Sequence, residues 1–169
     1  MICLWTDKMK MKLNKDKSKV MILNFTKNYQ FTTRIKINNE LLEIVEDTTI
    51  LGLILSNDLS WHKNTEHIVH KANVKMIILR NLIHFPIPMK DLVLIYCQYI
   101  RVILEFNSIV WFAGITKEEK EDLERVQTNV CRLLLKEKYV DYQSSLKILN
   151  LENLEDKRQN LQQSLLRDV

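Results

Sequence analysis

Residues 61–113, WHKNTEHIVHKANVKMIILRNLIHFPIPMKDLVLIYCQYIRVILEFNSIVWF, decide how this chain folds. In the first half Ile68, Ala72, Met76, Leu79 and Ile83 recur at helical spacing, and Pro86 and Pro88 predict a stop and a fresh start. The second half is apolar on nearly every side, with Asp91, Gln98, Arg101, Glu105 and Ser108 as its only polar stripe. The pattern predicts two antiparallel helices joined by a proline-marked turn, the second of them the buried centre of the protein. A membrane span is the rival reading of Leu92 to Ala113, which is about long enough to cross a bilayer. Arg101 and Glu105 argue against it: ionisable groups at mid-bilayer are costly, whereas at an i, i+4 spacing in a soluble helix they support each other.

Working outward, the 169 residues, 46% hydrophobic and 27% charged, suffice for one ordinary core and are too few for two. Two glycines and two prolines leave too few tight turns for a many-stranded sheet, so helix must dominate. Cys3, Cys97 and Cys131 are odd in number and far apart, which predicts no disulfide framework and a reducing, intracellular setting. Met1 to Trp5 give way at once to lysines, unlike a secretory leader, and no compartment is specified. Residues 1–36 hold nine Lys or Arg against two acids, while the rest of the chain holds 16 against 19. Either an anionic partner at that end or a solvated, lysine-rich strand face satisfies this imbalance.

Upstream of the helices, MICLWTDKMKMKLNKDKSKVMILNF starts as an interrupted amphipathic piece and ends as a strand. TTRIKINNELLEIV predicts a hairpin turning at Asn38-Asn39, and TTILGLIL a buried strand in which Gly52 permits close backbone approach. Asn57, Asp58 and Ser60 predict a turn and a cap before Trp61. Downstream, Gly114 ends the second helix, and Thr116 with Glu119 forms a capping box for a third carrying Leu123, Val126, Val130, Leu133 and Leu134. A short helix around Leu146 and Leu149 and a last one with Leu154, Leu161 and Leu165 complete the count. The expected class is α+β, mostly α: a small antiparallel sheet from about 17 to 55, then a bundle of four or five helices, divided at 57/58 within one compact unit.

Little here resembles a self-contained active site. His62, His67 and His70 fall within one helix, but nothing recognisable closes a tetrahedral ligand set around them, so no metal is expected. Gly52 and Gly114 cannot build a nucleotide-cradling loop, and no cofactor is implied. Cys97 and Cys131 sit among aliphatic residues, where a thiol is inert. The paired carboxylates Glu118-Glu119 and Glu121-Asp122 lie on a solvated first turn. The first long helix shows His67, His70, Lys71, Lys75 and Arg80 on its polar side; these could follow a phosphate backbone or simply keep the helix soluble.

The order of four segments resembles the part of non-LTR (LINE-type) retrotransposon reverse transcriptases that follows the catalytic aspartates. LNKDKSKVMIL, 13–23, is similar to that family's LN-x-x-K-[ST]-K-x-M segment, and ILGLILSNDLSW, 50–61, to its LG-x-x-[IL]-x-x-x-L-x-W segment. HIVHKANVKMIILRNL, 67–82, resembles its helix with a Lys-Ala pair. LIYCQYIRVILEFNSIVWF with LERVQTNVCRLLL resembles its tyrosine, leucine-glutamate-aromatic, tryptophan and Glu-x-x-Gln pattern, with Tyr96, Leu104, Glu105, Phe106, Trp111 and Gln127 in place. The resemblance covers nearly the whole chain and implies a palm end followed by a thumb that holds a template-primer duplex. It would put Lys17 and Lys19 near a polymerase site, Leu51 and Gly52 at a primer grip, and Lys71 and Lys75 on a duplex-facing helix.

The family's Asp-Asp box, which holds two metal ions for phosphoryl transfer, does not occur in these 169 residues. The expectation is therefore a catalytically inactive fragment of a truncated element, contacting RNA or DNA backbone non-specifically and self-associating through apolar surface around the strands, with no membrane partner. A helical protein-interaction module is the alternative. A weaker one is the N-terminal region of AlkB-like tRNA-modifying dioxygenases, which LSWHKNTEHIVHKAN resembles; the His-x-Asp of the dioxygenase itself is absent.

Overall fold

A computed structural model describes residues 5–6, 8–11, 13–25, 34–37 and 40–167. The chain divides into two compact units, Met1–Ser60 and Trp61–Val169. The class is α+β and mostly α, with small two-stranded sheets.

Among the described residues of the first unit the strands form three separate pairs where a single antiparallel sheet was expected. Strand β1 (Lys19–Met21) runs parallel to β4 (Glu43–Val45), β2 (Lys36–Ile37) antiparallel to β3 (Glu40–Leu41), and β5 (Asp47–Ile50) antiparallel to β6 (Leu53–Ser56). The connection from Met21 to Glu43 has the length that a parallel crossover needs. β2 and β3 flank the expected hairpin turn, whose Asn38-Asn39 lies outside the described residues.

TTILGLIL is not one buried strand. It is the β5–β6 hairpin, closed by a two-residue Leu51-Gly52 turn with φ of 49° and 82°. Hairpin turns with two positive φ values match the twist of the flanking strands. Glycine enters that conformation freely, but leucine there costs roughly 1–2 kcal/mol. Leu53 is the only buried large apolar side chain among the described residues of this unit, while Ile44, Ile50 and Leu51 stand exposed.

The second unit is a helical bundle. Helix α1 (His62–Leu82) is followed by the Pro86–Pro88 turn and by α2 (Met89–Tyr96). From there a π-helical turn (Cys97–Arg101) leads directly into α3 (Val102–Glu105). Asn107, in the left-handed region at φ 47°, breaks the run before α4 (Ser108–Trp111). Then come α5 (Lys117–Leu135), α6 (Tyr142–Leu149) and α7 (Leu154–Arg167). The capping box at α5 forms as expected, with Thr116 N–H donating to Glu119 Oε2 at 2.6 Å and Glu119 N–H to Thr116 Oγ1 at 3.2 Å. The turn before α1 differs: Asp58 accepts from Ser60 N–H, and Trp61 caps the helix without a side-chain bond.

The bundle centre also differs. It is α5, which packs against α1, α2, α6 and α7. The run from Met89 to Gly114 is long and apolar enough to span a membrane by length and composition, yet only 28% of its apolar 18-residue window is buried. Of that run, Leu92, Tyr96, Ile100, Leu104, Trp111 and Phe112 enter the core, while Leu94, Val102, Phe106, Ile109 and Val110 face out. Gly114 is needed for close approach rather than for its dihedral freedom, because a Cβ there would lie 2.8 Å from the Trp61 indole.

Two polar clusters tie the helices together. Tyr96 O–H donates to Gln127 Oε1 at 2.6 Å, and Gln127 Nε2 donates to Tyr142 Oη and to Glu152 O, each at 2.9 Å. In turn Tyr142 O–H donates to Glu124, whose carboxylate also accepts Leu154 N–H at the start of α7. The second cluster docks α7 on α3 and α4. Arg101 Nε and Lys157 Nζ converge on Glu105 at 2.7 and 2.9 Å. Arg158, almost wholly buried, donates to Leu104 O at 2.9 Å with its guanidinium against the Trp111 and Phe112 rings. Truncating it leaves a cavity and an unmet carbonyl, so Arg158→Ala should cost roughly 3 kcal/mol. Urea unfolding followed by tryptophan fluorescence measures this, against the exposed Lys147→Ala, which should stay within about 0.5 kcal/mol.

Candidate nucleic-acid interface

Lys17 and Lys19 are set by a local device. Asn14 Oδ1 accepts from Asp16 N–H and Lys17 N–H at 2.9 and 3.2 Å, closing a 3₁₀ turn that delivers the chain into β1. The two lysines then line an open groove with Asp47, Thr48, Thr49 and Ile50 of β5. Ile50 leads into the Leu51-Gly52 turn, where Leu51 is 87% exposed. Thus four of the residues singled out by sequence belong to one groove and the hairpin tip beside it.

The groove is less basic than the sequence suggests. Parallel pairing sets Lys19 opposite Glu43, with Nζ 3.4 Å from Oε2, and Lys15 pairs with Glu40. The hydrogen bond to Glu40 raises the Lys15 pKa above its ordinary value. Residues 1–60 hold nine cationic against seven acidic residues, so folding brings the basic first stretch against acids that follow it in sequence. Of the two groove lysines, only Lys17 keeps its charge unshared among the described residues.

Lys71 and Lys75 belong to the second unit. They lie one turn apart on α1, both exposed and neither in an ion pair with a described residue. His67 is exposed one turn before Lys71. Arg80 sits elsewhere on the helix surface, beside Met76 Sδ at 4.0 Å.

A feature that sequence reading missed is the cleft between α1 and α5, lined by His62, Glu66, His70, Asn73, Glu119 and Asp122. His62 stands 3.4 Å from Glu66 and 3.3 Å from Glu119. The one-turn spacing of His62 and Glu66 was visible, but Glu119 arrives from a distant helix. Among the described residues no group of three or more His, Cys, Asp and Glu is arranged to hold a metal ion.

The two described thiols are free. Burial pushes Cys131 up to about 11, and it also raises Cys97 although Arg101 and Lys157 pull the other way. Of the residues that carry the family resemblance in the helical half, Tyr96, Leu104, Glu105, Trp111 and Gln127 are engaged in the two packing clusters, whereas Phe106 and Lys71 are exposed.

Comparison with protein-family models, with curated proteins and with solved structures finds no match to this chain.

Cys131 should resist alkylation at pH 8, because only a trace of a thiol with a pKa near 11 is ionised there. Mass spectrometry after iodoacetamide treatment should find it labelled only when denaturant is added.

Proposed function

We propose that this chain is a non-catalytic, nucleic-acid-holding piece related to the palm end and thumb of non-LTR retroelement reverse transcriptases. The observation that carries the reading is the groove joining Lys17, Lys19, Thr48 and Thr49 at the foot of the Leu51-Gly52 hairpin. Ammonium and hydroxyl groups of this kind contact phosphate oxygens without reading bases. Lys71 and Lys75 add two cations without an ion pair to a described residue, on a rigid helix. No Asp-Asp box is present among the 169 residues, so the reading assigns no polymerisation to them. Exposed Ile44, Ile50 and Leu51 support self-association through the strands.

The alternative, a helical protein-interaction module, is favoured by a specific observation: Val74, Ile77 and Ile78 of α1 and Leu94 and Val102 beyond it are all exposed.

Fluorescence anisotropy with a template-primer duplex, titrated with salt, tests the first reading. Affinity should fall steeply with salt, and Lys17→Ala, Lys71→Ala and Lys75→Ala should each weaken it several-fold and flatten the log-log slope by about 0.9. Lys19→Ala should weaken it less, since its ammonium is shared with Glu43. Undetectable or salt-independent binding rejects nucleic-acid holding and leaves the interaction module.

A further inference from the structure

His62 has a carboxylate at each ring nitrogen. Nε2 lies 3.4 Å from Glu66 of its own helix, and Nδ1 lies 3.3 Å from Glu119 of α5. A neutral imidazole carries one N–H, so one of the two carboxylates faces a lone pair and the trio is short of a positive charge. The shortfall sits in a cleft of about 390 Å³ between α1 and α5, within the size range of small-molecule sites. Three carboxylates line it, those of Glu66, Glu119 and Asp122, and no lysine or arginine does. Asp122 is paired with Arg125 Nη1 at 2.6 Å, where the cleft runs on into a smaller hollow past Val126 and Asn129. Glu119 is 7% exposed and gives its other oxygen to the Thr116 N–H, so its charge is held away from water.

A second observation belongs to the same cleft. Thr65 lines it and is 2% exposed, and its Oγ1 has no hydrogen-bond partner among the described residues. A buried hydroxyl left unbonded is costly, and a donor entering the cleft would remove that cost. Val69, one turn further along α1, adds an apolar wall. A bare metal ion does not suit the site, because no group of three or more His, Cys, Asp and Glu among the described residues is arranged to hold one. An ammonium or guanidinium group on an alkyl chain does suit it. Its N–H groups donate to carboxylate and hydroxyl oxygens together, while its methylenes lie against the valine.

We propose that the α1–α5 cleft binds an organic cation, the ammonium or guanidinium end of an alkyl chain, between Glu66, Glu119 and the Thr65 hydroxyl. Glu66 and Asn73 lie about 140° and about 160° round α1 from Lys71, so this site and the cations assigned to nucleic acid occupy opposite flanks of one helix. The proposal therefore stands whether or not Lys71 and Lys75 hold a phosphate backbone. Because the whole chain is formally +4, a cleft lined by carboxylates is a local reversal of sign that concentrates cations there.

Isothermal titration calorimetry of the full chain at pH 8 tests it, with putrescine and with a blocked alanine-arginine-alanine peptide as probes. At least one should bind saturably with a Kd below about 1 mM, whereas the uncharged diol of putrescine's length should give no heat beyond dilution. Tighter putrescine binding identifies a free polyamine as the ligand, and tighter peptide binding a protein side chain. Glu66→Gln and Thr65→Val should each weaken binding at least about fivefold. Thr65→Val should also leave the urea midpoint unchanged or higher, since it removes an unbonded buried hydroxyl. Glu118→Gln, on the same first turn of α5 but outside the cleft, should bind as wild type does. No saturable binding of either probe, equal binding of the diol, wild-type affinity in Thr65→Val, or a loss in Glu118→Gln as large as in Glu66→Gln would each overturn the proposal.

Discussion

The helical unit depends on one buried amide. Gln127 is fully enclosed, and its oxygen and nitrogen are matched to groups from α2, α6 and the segment before α7. Inside a protein an unmatched amide is expensive, so the bundle is held to the one arrangement in which Tyr96, Tyr142 and the Glu152 carbonyl arrive together. Burial raises the pKa of both tyrosines, so their hydroxyls stay protonated as donors well into alkaline pH. Glu124 closes the chain of bonds by taking the Tyr142 proton donor and the first amide of α7.

Around that amide the helix run from Met89 to Glu105 behaves as a board with two faces. The π turn lets it keep Leu92, Tyr96, Ile100 and Leu104 toward the core over a length where an unbroken α-helix would have rotated them out. Arg101 at the end of that turn then pairs with Glu105, and α7 reaches the same carboxylate through Lys157. Arg158 finishes the docking by sealing the Leu104 carbonyl under Trp111 and Phe112. The ionisable groups that argued against a membrane span thus serve as the joint between the π turn with α3 and the last helix, α7.

The strand unit works by a different balance. It has little apolar burial among its described residues, and its basic segment is offset by Glu40 and Glu43 across the strand pairs. A charge count confined to the first 36 residues reads as a strongly basic patch, whereas pairing leaves Lys17 as the one groove cation without an ion pair among the described residues. The Leu51-Gly52 turn shows the same kind of gap. Glycine inside an apolar run fits a tight strand or a turn equally well, and only the pairing of Ile50 with Leu53 decides between them.

Local chemistry made some features legible in advance. Helical spacing marked Ile68, Ala72, Met76 and Leu79, the prolines bounded α1 and α2, and Thr116 with Glu119 announced α5, because each signal is complete within one or two turns. The rows at steps of four, Leu92 to Leu104 and Leu94 to Phe106, were also present in the sequence, hidden by apolar residues on every side of the helix. Which of those rows faces the core was decided by tertiary structure, as were the identity of α5 as the centre, the joining of Glu119 to His62, and the neutralising of Lys19 by Glu43. These all depend on groups distant along the chain. An apolar side chain gains the same free energy against any apolar neighbour, so its pattern names a buried face without naming the partner, and the partner is chosen only when directional groups such as Gln127 and Glu105 must be matched at once.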